Sequence, residues 1–151
     1  MTTTPFQLPV PTEDERTNAL LVYVLSIFGG FLAPLIFFLV KKDSLFVKFH
    51  ALQALIWHLA YMVVAFLAMM VMIVSVIFTI PMQPHEGKAS APPLAFFGFV
   101  GGFWLIIMGA GLFNLILAVV FAVKAHQGDW VRYPVIGNLA LRGVLPNRPV
   151  S

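Results

Sequence analysis

Polar side chains that could do chemistry gather in one short stretch of an otherwise apolar chain. His50, Gln53, Trp57, His58 and Tyr61 all lie between positions 50 and 61. At about 100° per residue, four of them fall on one stripe of a helix, with His58 beside it. Because an imidazole titrates near neutrality, one interpretation is a proton-responsive polar lining at the mouth of a path. The interpretation that the sequence favours is an anchor at the level of the lipid headgroups, with the rings as interfacial aromatics and His50 and Gln53 bonded to neighbours.

Metal and catalytic chemistry have less support. A metal ion needs three or four ligands within reach, and His50 and His58 are about 12 Å apart along a helix. Met82, His85 and Glu86 could weakly bind a soft cation, but their Pro-rich setting favours an ordinary loop. The sequence has no recognisable nucleophile and base set, phosphate loop or pair of carboxylates in an apolar stretch. We therefore expect no metal, no cofactor and no enzymatic activity.

The elements that must position these side chains are long and uncharged. The chain is 60% hydrophobic and 10% charged, which is far from the usage of soluble domains. Residues 17–40, 49–85 and 89–123 contain no Asp, Glu, Lys or Arg. Each stretch exceeds the roughly 20 residues that cross a bilayer. We expect an all-α integral membrane bundle of three transmembrane helices.

Gly, Pro, charged and helix-capping residues set the expected boundaries along the chain. We expect a flexible N-terminal tail over 1–16, a membrane domain over 17–145 with spans at about 19–40, 54–80 and 94–123, and a C-terminal tail over 146–151. Gly29, Gly30 and Pro34 predict a kink in the first span. Thr12 and Glu15 have the spacing of a capping box.

The ends of the second and third spans are expected to lie at the membrane surface. Residues 45–80 contain no Gly or Pro, which predicts one long helix, and its aromatic and basic first turns favour an interfacial start. Residues 129–145 are too short and too polar to cross, so they predict an amphipathic surface segment.

The basic residues are distributed unevenly. Three crossings would place Arg16 and Lys88 on one side and seven on the other: Lys41, Lys42, Lys48, Lys124, Arg132, Arg142 and Arg148. The positive-inside rule then predicts an inner-membrane protein with its N-terminus outside and its C-terminus in the cytoplasm. The cytoplasmic cations would attract anionic lipid, and their scatter beside the membrane argues against nucleic acid.

Small residues predict helix packing. Gly98, Gly102 and Gly109 share one face of the third apolar stretch, and Ala65 and Ala68 belong to a stripe on the second. These faces could meet each other, make a homo-oligomer or receive other membrane proteins, with Asn114 as an interhelical hydrogen-bond donor. The simpler alternative is that Gly is common in membrane helices.

Two strings, 41–55 and 124–134, carry a family resemblance. The motif residues are Lys42, Asp43, Ser44, Phe49, His50, Gln53, Lys124, Ala125, Gly128, Tyr133 and Pro134. The pattern resembles a widespread family of small bacterial membrane proteins with no settled function. That family is similar to the twenty-kilodalton subunit of the chloroplast inner-envelope protein translocon (the Tic complex), and it includes some magnetosome membrane proteins. The resemblance covers about residues 15–141.

Two functions remain open on the sequence. The first is a non-enzymatic assembly, interaction or scaffold component of the bacterial inner membrane. The alternative, which the translocon resemblance implies, is a component of a protein-translocation or small-solute conduction path. In that case His50, Gln53 and Tyr61 would line the path.

Overall fold

The structure, a computed structural model, describes residues 8–79, 94–133 and 136–145. These residues form five helices and no strand: α1 (Glu13–Gly29), α2 (Leu32–Val40), α3 (Leu45–Thr79), α4 (Leu94–His126) and α5 (Ile136–Val144). The all-helical expectation is confirmed. Two helices, α3 and α4, are long and apolar enough to cross a membrane. The first apolar stretch forms two shorter helices instead of the expected single span.

The chain divides into two compact units that we treat separately. The charged unit comprises residues 1–59 and 115–151, and the apolar unit comprises residues 60–114. Every described Asp, Glu, Lys and Arg belongs to the charged unit. The separation follows from solvation, because a charge is costly in a hydrocarbon environment.

The start of α1 is fixed by the capping box that the sequence predicts. Thr12 Oγ1 accepts a hydrogen bond from the Glu15 amide at 3.3 Å, and Glu15 Oε2 accepts one from the Thr12 amide at 2.8 Å. Both bonds satisfy amides that a helix N-terminus would otherwise leave without partners.

The chain reverses direction at Gly30, where the sequence predicts only a kink. Gly30 has φ 54° and ψ −131°, a conformation that residues with a Cβ rarely adopt, and its amide donates to the Ser26 carbonyl at 2.9 Å. Pro34 then occupies the first turn of α2, where a helix needs no backbone donor. The Gly and Pro residues therefore build a turn between two helices.

A hydrogen bond between the two ends of this segment shows how far the chain returns. Ser44 Oγ donates to Glu15 Oε1 at 2.6 Å. The path from Glu15 to Gly29 rises about 21 Å, so a continuing α2 would carry Ser44 more than ~30 Å away. Since α1 and α2 also contact each other, they form a helical hairpin, which we call the α1–α2 hairpin.

The segments before α1 and after α4 lie side by side in the charged unit. Trp130 Nε1 donates to the Pro9 carbonyl at 3.2 Å, and the Arg16 guanidinium lies against Gly128. The expectation that the N-terminal and C-terminal segments face opposite sides of the membrane is therefore wrong. The prediction of one crossing by the first apolar stretch rested on its length without charges. A stretch that turns back halfway has the same composition, so hydropathy cannot distinguish the two.

The expected surface elements also pack against protein. Phe46 and Phe49, in the predicted interfacial start of α3, are 2% and 0% exposed. In α5, Ala140 and Leu141 pack on Phe49. In both segments these apolar side chains meet the charged unit's own core.

The last turn of α4 ends in a Schellman motif. The Asp129 amide donates to the Lys124 carbonyl at 3.1 Å, and the Gly128 amide donates to the Ala125 carbonyl at 3.0 Å. Gly128 has φ 90°, which this motif requires at its turning residue. The motif directs the chain from α4 back along the charged unit.

The apolar unit consists of two uncharged helical stretches, 60–79 and 94–114, among its described residues. Each has about the 20 residues that cross hydrocarbon. A Cβ placed on Gly98, Gly102 or Gly109 would meet no atom within 4 Å. The predicted close meeting of these glycines with the Ala65 and Ala68 stripe is therefore wrong for the residues described here, and the oligomer alternative stays a prediction.

Alanine substitution of the two neighbouring glycines at the hairpin turn should affect the free energy of unfolding differently. Gly30→Ala forces a Cβ into a positive φ and should destabilise the protein by about 1–3 kcal/mol. Gly29→Ala is the control, because its Cβ would lie at an ordinary 3.6 Å from the Ala33 Cβ inside α1 geometry. It should be neutral or stabilising by up to about 1 kcal/mol. Unfolding in mild detergent, followed by circular dichroism, measures both, and equal effects would contradict the assigned turn.

Candidate functional site: a buried polar cluster

Three distant segments of the charged unit meet around His50 and Gln53. Tyr23 comes from α1, His50 and Gln53 come from α3, and the backbone of Val131 and Tyr133 comes from the segment after α4. His50 and Gln53 are 0% exposed and Tyr23 is 1% exposed. We call these groups the polar cluster. The hydrogen bonds among the Tyr23, His50 and Gln53 side chains and the Tyr133 amide are therefore made without competition from bulk water, whereas the bond to the Val131 carbonyl is part-buried.

The carboxamide of Gln53 joins the three segments. Its Nε2 donates to the Tyr23 hydroxyl and to the Val131 carbonyl, each at 3.2 Å, and its Oε1 accepts from the Tyr133 amide at 3.0 Å. An amide side chain offers two donors and an acceptor in one plane, which matches this set of partners. Gln53 thus fixes the register of α3 against both α1 and the C-terminal segment.

His50 is held by a hydrogen bond to Tyr23 and by aromatic rings. Its Nδ1 lies 3.1 Å from the Tyr23 hydroxyl, which already accepts from Gln53. The hydroxyl is then best placed to donate to Nδ1, which puts the ring proton on Nε2. Nε2 has no hydrogen-bond partner among the described residues. Phe46 and Phe49 pack edge-on against the imidazole, with centroids at 4.5 and 5.1 Å.

A stack of rings closes one side of the polar cluster. Tyr133 lies flat between Phe121, at 3.9 Å between centroids, and Trp57, at 5.0 Å. Burial raises the pKa of the Tyr133 hydroxyl, which therefore stays neutral. Large apolar ring area is removed from solvent here, so the stack supports the position of the Tyr133 backbone that Gln53 binds.

Gly137 allows the close approach of α5. A Cβ there would lie 2.4 Å from the Arg132 Cβ and 2.7 Å from its Cα, and 3.0 Å from Gln53 Oε1. The Gly137 amide donates to the Tyr133 carbonyl at 2.9 Å. Only a residue without a side chain fits between this backbone and the polar cluster.

The remaining described motif residues also belong to the charged unit, and Ser44 makes two hydrogen bonds in it. Ser44 Oγ accepts from the Val47 amide at 3.1 Å, which caps α3, while its own proton goes to Glu15. That bond from Ser44 is the main cause that lowers the pKa of the Glu15 carboxyl. Lys42, Asp43 and Lys124 are exposed, Ala125 is buried, and Pro134 lies outside the described residues.

The predicted polar stripe is brought together only in part. His50, Gln53 and Trp57 belong to the polar cluster or its stack, whereas His58 Nδ1 lies 2.8 Å from the Ala54 carbonyl of its own helix. Tyr61 falls in the apolar unit. His50 and Gln53 are bonded to neighbours, as the favoured interpretation expects, but these neighbours are groups of the charged unit's interior and both side chains are 0% exposed. Their position at the level of the headgroups stays a prediction.

The sequence pattern does not single out two residues that matter to the polar cluster, Tyr23 and Gly137. Tyr23 was read as part of an apolar span, although it is the lone tyrosine of the 17–40 stretch. Gly137 lies in the 129–145 segment, which the sequence predicts as a surface segment. Each could have been noticed as a polar or small residue in an unexpected setting, but its partner could not be named.

Asn114, Ala65 and Ala68 also fall in the apolar unit, apart from the polar cluster's sequence segments. Among the described residues, no three His, Asp or Glu side chains gather closely enough to hold a metal ion. The suggested weak ligands Met82, His85 and Glu86 lie outside the described residues.

These features define a small all-helical membrane protein whose charged unit is tied together by a buried amide. Residues 14–140 match the model of the magnetosome magnetite crystal formation protein family, and the chain belongs to this family. The match extends over all the segments that build the polar cluster.

Two archaeal proteins are similar over most of their length. A UPF0132 membrane protein of Methanocaldococcus jannaschii is 30% identical over 130 residues, which cover 84% of this chain and 86% of that protein. A UPF0132 membrane protein of Archaeoglobus fulgidus is 28% identical over 126 residues, which cover 83% of this chain and 91% of that protein. No solved structure matches the chain significantly.

Replacing the central amide should unfold the charged unit. Gln53→Leu leaves the Tyr133 amide and the Val131 carbonyl without their partner, at about 1–3 kcal/mol for each group. We expect a loss of about 3 kcal/mol or more in detergent unfolding. Gln127→Leu, the same change at an exposed position, should stay within about 0.5 kcal/mol. Similar losses in both variants would contradict the role of Gln53.

Removal of the Ser44 hydroxyl should raise the pKa of Glu15 towards its ordinary value of 4.5. The lowered pKa in the folded protein stabilises it above pH 4.5, and this contribution is lost as the pH falls through the folded value. Ser44→Ala should therefore weaken the pH dependence of stability below pH 4.5. Carbon-detected NMR of the Glu15 carboxyl measures the shift. Ser75→Ala, whose hydroxyl donates to the Val71 carbonyl, should leave the titration unchanged.

Proposed function

We propose that this protein is a non-enzymatic assembly component of the bacterial inner membrane, which gathers copies of itself or other membrane proteins through its helices. The observation that carries the proposal is the open glycine face of α4. Gly98, Gly102 and Gly109 lie within about 40° of each other around the helix, and a Cβ on any of them would meet no atom within 4 Å. Helices in lipid associate through such small-residue faces, where backbones can approach closely.

The charged unit supports this role as a platform at the membrane surface. The Trp130 to Pro9 hydrogen bond puts the N-terminal segment, and with it Arg16, beside the C-terminal segment. Arg16 is then grouped with Lys41 and the other cations of the charged unit. Lys88 is the one Lys or Arg of the sequence between α3 and α4. With residues 60–79 and 94–114 as the crossing segments, the positive-inside rule places both ends of the chain in the cytoplasm. The exposed cations would then face anionic lipid headgroups.

The conduction alternative comes from the resemblance to the translocon subunit. Its proposed lining residues His50 and Gln53 are 0% exposed, and Gln53 uses its amide to bind protein groups. A path would need these groups to face water or a transported molecule. The geometry therefore favours assembly.

The family description names magnetite crystal formation in magnetosomes. For this chain we propose the membrane-organising part of such a role. An organising protein needs a stable platform and a free helix face, and it needs no reactive side chain. The polar cluster provides the first and the α4 glycines provide the second.

A bulky side chain on the glycine face should weaken association. Gly102→Leu should reduce self-association or partner cross-linking roughly tenfold, about 1–2 kcal/mol, with unchanged membrane insertion. Gly111→Leu is the matched control, because Gly111 lies nine residues further, on the opposite side of α4, and also has no atom within 4 Å of its Cβ position. Fluorescence energy transfer between labelled copies in vesicles measures self-association, and cross-linking in native membranes measures other partners. Equal behaviour of the two variants in both assays would overturn the proposal.

A further inference from the structure

The tip of the α1–α2 hairpin is apolar and uncovered within the charged unit. Phe28 is 88% exposed, and Leu32 and Ile36 on the returning helix are 54% and 58% exposed. Between Arg16 and Lys41 the sequence has no Asp, Glu, Lys or Arg. A tip of this composition does not suit water, and the absence of charges fits a hydrocarbon environment.

The arms of the hairpin are too short to cross a bilayer. From Ala19 to Gly29 the apolar part of α1 extends about 16 Å, and the nine residues of α2 extend about 13 Å. The hydrocarbon core is about 30 Å thick and needs about 20 helical residues. Each arm therefore has the length of one leaflet.

The charges mark the open end of the same hairpin. The charged residues there are Glu13, Asp14, Glu15, Arg16, Lys41, Lys42 and Asp43. The hydrogen bond from Ser44 to Glu15 holds the two sides of this end together. A polar base below an apolar tip is the arrangement of an element that enters the membrane and leaves on the same side.

Part of the turn's backbone is paired within the hairpin, although no side chain caps the start of α2. The Gly30 amide donates to the Ser26 carbonyl at 2.9 Å, and the Leu35 amide donates to the Phe31 carbonyl at 3.1 Å. Pro34 has no amide to satisfy. Since unpaired backbone groups are costly in lipid, these features suit a turn placed among acyl chains.

We propose that the α1–α2 hairpin is a re-entrant membrane element, whose tip is surrounded by the acyl chains of one leaflet near the bilayer centre. The chain then crosses the membrane twice, through α3 and α4. This inference goes beyond the assembly role, because it holds or fails whatever α4 binds.

The absence of cysteine from the chain allows a clean test with single substitutions. Phe28→Cys and Leu32→Cys probe the tip at two exposed positions, so both variants should fold. Asn138→Cys, an exposed residue of α5, reports the side of the charged unit. Ser90→Cys reports the side of the segment between α3 and α4. The full chain is reconstituted in sealed phospholipid vesicles and treated with a membrane-impermeant maleimide from outside or from both sides.

We expect both tip variants to react at least roughly tenfold more slowly than Asn138→Cys from either side, because the bilayer interior excludes the reagent. A nitroxide attached at the tip should be more accessible to oxygen than to a water-soluble nickel complex. Asn138→Cys and Ser90→Cys should react from opposite sides.

Three outcomes would overturn the proposal. Reaction of the tip from the Ser90 side would show that the hairpin crosses completely, and reaction from the Asn138 side would show that it lies in water. Rapid disulfide formation between two tips, with neither probe accessible to oxygen, would show that a second copy covers it. None of these depends on the glycine face of α4, so the assembly role is tested separately.

Discussion

The carboxamide of Gln53 is the constraint on which the charged unit depends. It bonds to Tyr23 in α1 and to the backbone of residues 131 and 133, although these groups lie 30 and about 80 positions away along the chain. A buried polar group is costly without partners and specific with them, so a single register satisfies all three contacts. The hairpin, the ring stack and the turn at Gly137 all lie where this register puts them.

The same constraint explains why a mostly apolar chain contains a compact charged unit. Burial of rings around His50 and Tyr133 provides non-directional stabilisation, which would tolerate sliding of one helix along another. The hydrogen bonds of the polar cluster remove that freedom. Exposed ion pairs contribute less, since the Lys124 to Asp129 pair is separated by 3.6 Å with both side chains about half exposed.

The sequence predicts those features that depend on local pattern. The capping box at Thr12, the unbroken α3 and the amphipathic α5 segment follow from spacing, from the lack of Gly and Pro, and from composition. The reversal at Gly30 could not be predicted from the sequence, because a Gly pair followed by Pro is compatible with a kink and with a turn. The distinction comes from the Ser44 to Glu15 bond, a tertiary contact.

The polar cluster could be located but not assembled from sequence. Helical periodicity identified His50 and Gln53 as one face, and Tyr133 was known only as a residue of the same family motif, without any indication that it meets them. Periodicity also included Tyr61, which falls in the apolar unit. It could not name Tyr23 as the partner, since nothing local relates position 23 to position 50. The burial of His50 and Gln53 was not predictable for the same reason, because burial by a distant segment has no local signature.

The separation of these contacts along the chain also sets the order in which they can form during synthesis. Trp130 meets Pro9 across 121 positions, and Gln53 meets Tyr133 across 80. A ribosome must therefore complete both long apolar helices before the first helix acquires its final neighbours. Until then Gln53 has no C-terminal segment to bind, so the nascent protein passes through a stage in which both long helices are complete and the charged unit is not.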